Sequence, residues 1–98
     1  MDIEPKLADK QLKVYDIIRL AGWDGCTTDE VEFKSGFTHQ CTSARVNELA
    51  NWKNDNGQLA PLIERRGVRR KTRTGRTADV YVLAGLPEAE KRKKADAE

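Results

Sequence analysis

The sequence has little of what most small functional sites are built from. Its 98 residues include two cysteines, one histidine and three prolines. Cys26 and Cys41 have neither CxxC spacing nor the density of a secreted disulfide scaffold, so both are expected as small, free, buried or half-buried thiols. A zinc site would have to combine them with His39, yet His39 and Cys41, two residues apart, do not share a helix face. There is no glycine-rich phosphate loop: Gly22, Gly25, Gly67 and Gly75 read as separate turn residues. No nucleophile motif accompanies His39, and Asp29 with Glu30 is accounted for by helix-start electrostatics, so neither enzymatic activity nor a cofactor is expected. No apolar run approaches the roughly 20 residues of a membrane span, and the acidic start Met1-Asp-Ile-Glu-Pro5 is not a signal peptide. The expectation is a cytoplasmic chain without a membrane partner. Aromatic residues make up 6%, too few for the stacking platform on which single-stranded RNA is usually read.

Charge is what the chain has in quantity. Charged residues reach 35% against 38% hydrophobic, enough for one domain with a modest core. The net charge of +2 hides a strong asymmetry. Residues 65–76 hold seven of the eighteen basic side chains and no acid, leaving 11 basic and 16 acidic residues elsewhere, a net of −5.

The second concentrated signal runs from Cys26 to Lys53. Thr27 and Glu30 have capping-box spacing, Gly36 is suited to end the short helix at Ser35, and Phe37 follows as an apolar plug. Thr38 is a second N-cap. From there Thr42, Val46 and Leu49 fall on one helical stripe, turned towards the core. The opposite side carries Gln40, Ala44, Asn47 and Asn51, with Ser43 beside them. Gln and Asn can give and take hydrogen bonds along an adenine edge, and Ser and Ala let a helix approach a groove closely. Solvated polar residues on a surface helix would look the same, so this face needs support from elsewhere in the chain.

Around this centre the spacing predicts a first helix, capped by Asp9 and running from Lys10 to Ala21, with Val14, Ile18 and Ala21 on its apolar stripe. Gly22 stops it, and Gly25–Thr27 has room for a very short strand. After Asn56-Gly57, a strong turn pair, Pro61 marks a lead-in position and Leu62-Ile63 are expected on the core. Strands are predicted over Val68–Thr72 and Ala78–Leu83, with Thr74-Gly75 at the tip and one face of the return strand packed inward. Residues 1–8 read as a flexible arm, 9–85 as the domain and 86–98 as a charged, disordered tail.

Helix, short strand, helix, glycine turn, helix and basic hairpin, in this order, resemble the small winged helix-turn-helix domains of bacteria and their phages. The stretches T-T-D-E-V…S-G-F-T-H-Q-C-T-S-A-R-V-N-E-L and R-R-K-T-R-T-G-R-T-A-D-V-Y-V carry the resemblance. It implies an α+β, mainly α fold and a DNA-binding transcriptional regulator in a bacterial or phage-infected cell. The third helix would enter the major groove of double-stranded DNA, with Gln40, Ser43, Ala44 and Asn47 as base readers. Thr38, His39 and Arg45 would be backbone contacts, and the wing residues Arg69, Arg70, Lys71, Arg73 and Arg76 would hold the flanking duplex. The long connection over residues 51–60 departs from compact members and leaves the wing's angle open. A homodimer, with the first helix or the tail as its contact, fits the same pattern. So does an interaction module whose arginines meet an acidic protein partner.

Overall fold

The computed structural model describes residues 7–86. The expected arm up to residue 6 and the tail from residue 87 lie outside the described residues. Helix α1 (Asp9–Ala21) is followed by a 3-10 turn (Gly22–Asp24), α2 (Thr28–Ser35), α3 (His39–Ala50), and strands β1 (Ile63–Lys71) and β2 (Thr77–Leu83). The strands form an antiparallel hairpin. Among the described residues, three helices followed by a two-stranded hairpin make an α+β, mainly α domain compatible with a winged-helix layout. Among the described residues no helix is long and apolar enough to cross a membrane.

The helix ends follow from chemistry local to each. Thr27 Oγ1 accepts from Glu30 N at 3.2 Å while Glu30 Oε1 accepts from Thr27 N at 2.9 Å, closing the capping box of α2. Gly36 ends α2 in the left-handed region (φ 77°), its N–H donating to Glu32 O. Thr38 Oγ1 caps α3 through Cys41 N. Helix α1 differs from expectation: Ala8, not Asp9, is the N-cap, and its N–H donates to Gln11 Oε1 at 2.9 Å. Asp9 instead lies in the first turn, where a carboxylate meets the unpaired N–H groups of the helix start.

Val14 and Ile18 of α1, Val31 of α2, Val46 and Leu49 of α3, Cys26 and Ile63 form one buried cluster, against which Phe37, Leu62, Tyr81 and Leu83 pack. Val31 is the only buried residue of α2, so that helix is held by its cap and its neighbours more than by an apolar face of its own. The short strand predicted before α2 is a single bridge, Cys26 N to Tyr81 O at 2.9 Å and Tyr81 N to Cys26 O at 2.8 Å.

The hairpin departs from its predicted form in three ways. Strand β1 begins at Ile63 rather than Val68 because Ile63 is anchored in the core opposite Leu83. Arginine-rich sequence hides that start, having no apolar alternation. Both faces of β2 are covered: Tyr81 and Leu83 pack on the helical core, while Val80 and Val82 are buried against the bare backbone of Gly25. The register shifts between Arg65 and Arg69, a bulge that includes Gly67.

The connection over residues 51–60 closes on itself. Ala60 N donates to Trp52 O at 2.7 Å and Asn54 N to Gln58 O at 2.9 Å. Leu62 N then donates to Leu49 O at 3.0 Å. The hairpin therefore starts beside the end of α3, as it would after a short turn.

Candidate nucleic-acid interface

Burial of Thr42, Val46 and Leu49 fixes the rotation of α3. Gln40 and Asn47 are consequently exposed, and Ser43 and Ala44 are half-buried. Asn51 Nδ2 donates to Asn47 O at 2.9 Å and to Asn47 Oδ1 at 3.1 Å, which holds the Asn47 amide in one orientation. At the start of the helix Thr38 and His39 are exposed, with His39 Nδ1 2.8 Å from Glu32 Oε2 on α2. Arg45 is engaged elsewhere: its Nη2 donates to Glu48 Oε2, and Gln11 Nε2 of α1 donates to Glu48 Oε1, both at 2.9 Å. The Gln11 amide and then Arg45 hold the Glu48 carboxyl below its ordinary range.

The outer face of α3 and the hairpin enclose an open groove of about 520 Å³. It is lined by Ser43, Asn47 and Asn51 of α3, by Thr28 of α2, and by Ile63, Glu64, Arg65 and Tyr81 of the hairpin. Of the four base readers expected from the sequence, Ser43 and Asn47 line this groove and Gln40 and Ala44 do not, while Thr28, Arg65 and Tyr81 are not anticipated there. Arg65 belongs to the basic run, but only the observed pairing with Tyr81 turns it towards α3. Its guanidinium lies 3.4 Å from Asp79 Oδ2.

Strand alternation divides the basic run between two faces. Arg65 and Arg69 share the face of Tyr81 and both approach Asp79, at 3.4 and 3.8 Å. Arg70 takes the opposite face, where it donates to Asp24 O, Gly25 O and Glu30 Oε1 at 3.3, 3.0 and 2.7 Å. It thereby pins the hairpin to the capping box of α2. Arg73, at the tip, makes a fork on Asp29: Nε to Oδ2 at 3.0 Å and Nη2 to Oδ1 at 2.9 Å, with its backbone N–H also on Oδ2. The side-chain hydrogen bond from Arg73, reinforced by that N–H, holds the Asp29 carboxyl below its ordinary range. Arg66 covers the ring of Trp23 at 4.8 Å. Among the described residues Lys71 and Arg76 are the two cations of this run without such a contact, and both are exposed.

Four of the seven cations, Arg65, Arg69, Arg70 and Arg73, thus meet four carboxylates, those of Asp24, Asp29, Glu30 and Asp79, which leaves the seven with a local net charge of +3. The surface is still positive, but less so than the acid-free run in the sequence implies. What it can do chemically is offer amides and a hydroxyl from one side of a groove and, from the other, the Arg65 guanidinium beside the Glu64 carboxylate; the remaining cations lie along the hairpin outside it. Compared with known proteins, the chain matches no family model and no curated protein sequence.

Proposed function

We propose that the protein binds double-stranded DNA with a preference for particular base sequences and acts in transcriptional regulation. Helix α3 enters the major groove and the hairpin lies along the flanking phosphates. The observation that carries this reading is the shared groove: Ser43 and Asn47 of α3 face Arg65 and Tyr81 of the hairpin across it. A 12-residue helix extends about 18 Å at 1.5 Å per residue, and its diameter fits a major groove about 12 Å wide. Gln40 and Asn47 supply the amides for base edges, while Ser43 and Ala44 keep the helix surface low enough to approach them. Arg65, Arg69, Lys71 and Arg76 supply phosphate contacts, with Thr38 and His39 at the helix start. Arg70 holds the hairpin in place for them.

Selection of bound sequences from a random duplex pool tests the reading directly. A recovered motif is expected, and two symmetric half-sites in it would reveal pairing of chains. Arg76→Ala should weaken binding to every duplex and lower the salt slope by about 0.9 for each phosphate it no longer neutralises. Asn47→Ala should instead cost roughly 1–3 kcal/mol at particular base pairs. Unchanged duplex affinity at about 0.1 M salt after removing Arg69, Lys71 and Arg76 together would rule the reading out.

A further inference from the structure

The tip of the hairpin is fastened to α2 by a contact that mimics a phosphate complex. A guanidinium fork on a carboxylate uses the same parallel N–H donors, at the same distances, as a fork on a phosphate. Arg73 makes that fork on Asp29, a residue 44 positions earlier in the chain. Its backbone N–H adds a further bond to the same carboxylate, and its guanidinium lies 5.2 Å from the ring of Phe33, which is 70% exposed. Asp29 sits in the first turn of α2, where the helix dipole favours a negative group. Glu32, with His39 Nδ1 2.8 Å from its Oε2, stands beside the pair. Lys71 and Arg76, on either side of Arg73, have no carboxylate of their own among the described residues.

We propose that Asp29 is an internal competitor for the phosphate Arg73 would otherwise hold, so that the hairpin tip is latched to α2 in the free protein and is released by a polyanion. This rests on the duplex-binding reading and adds a limit to it: Asp29 lowers affinity for nucleic acid. The latch is weak by construction, because the Arg73 side chain is 55% exposed and exposed ion pairs are easily exchanged and screened.

The test is fluorescence anisotropy of a labelled random-sequence duplex, titrated with the full chain and its variants over a salt series. Asp29→Asn keeps the size and first-turn position of the side chain and removes the charge. It should bind about two to five times more tightly than the parent at about 0.1 M salt, the range an exposed ion pair supports. Its salt slope should match the parent's to within half a phosphate contact, because Arg73 reaches phosphate in both complexes and only the cost of leaving Asp29 is removed. The gain should vanish when Arg73→Ala is added, because it then has no guanidinium to act through. A gain that survives Arg73→Ala would reflect general loss of negative charge and overturn the latch. Parent binding with no gain in Asp29→Asn would overturn it as well, leaving the duplex reading intact. Absence of duplex binding by any of the proteins would defeat the duplex reading, and the competition with it.

Discussion

Gly25→Ala should be among the most damaging small substitutions in this protein, and the reason lies in β2. Gly25 has φ 68° and ψ −172°, a region open essentially to glycine alone. A Cβ there would come within 3.0 Å of Tyr81 O and of the Cγ1 atoms of Val80 and Val82. Backbone oxygen and buried valines cannot step aside, so the strand must move and the Cys26–Tyr81 bridge is the first thing to break. Backbone strain of about 1–3 kcal/mol adds to two hydrogen bonds of about 0.5–1.5 kcal/mol each. The sum, about 2–6 kcal/mol and centred on about 4, compares with a total stability of about 4–12 kcal/mol for a domain of this size. Urea unfolding followed by tryptophan fluorescence would measure it, since Trp23 and Trp52 are both half-buried; in a thermal melt, Tm should fall by about 16–32 °C at the central value. Gly36→Ala is the control. Gly36 also has positive φ, but nothing lies within 4 Å of its Cβ position, so only about 1–2 kcal/mol of backbone strain is expected. If Gly25→Ala cost no more than Gly36→Ala, the account of how the hairpin is seated on the helices would be refuted.

Arg70→Ala and Arg76→Ala should separate stability from binding. The first removes three charged hydrogen bonds to Asp24, Gly25 and Glu30 and should cost about 1–2 kcal/mol in urea unfolding, after allowing for partial exposure. The second should change stability by less than about 0.5 kcal/mol. Acid should weaken the fold through Asp29 and Glu48, whose folded pKa values are lowered from 3.8 and 4.5. A carboxylate with a depressed folded pKa contributes fully above its ordinary value and loses that contribution as pH falls through the folded one. Tm should therefore be insensitive to these two groups between about pH 5 and 8 and decline below about pH 4.5. Glu48→Gln should make that decline shallower, and an identical profile in the variant would exclude Glu48 as a contributor.

What can be read from the sequence is local. Thr27 with Glu30, Thr38, Gly36, and the stripe Thr42–Val46–Leu49 are patterns whose hydrogen bonds or packing direction are decided within a few residues, and each is found where the sequence predicts it. The cap of α1 falls one position before Asp9 because a carboxylate suits both an N-cap and the first turn, and only Gln11 reaching back to Ala8 separates the two. The start of β1 is obscured because charged residues at successive positions give no apolar alternation, and Ile63 declares itself only against Leu83.

The electrostatics of the hairpin belong to tertiary structure. Residues 65–76 contain no acid, yet Arg70 and Arg73 find Glu30 and Asp29 at sequence separations of 40 and 44. Composition reports how much charge a segment carries; folding decides which of it is neutralised. The same holds for the loop over residues 51–60, whose length leaves the wing's angle open in the sequence although its ends are bonded to each other in the fold. Short-range hydrogen bonding is encoded where the residues stand, whereas the meeting of distant charges depends on how the helices bring their ends together.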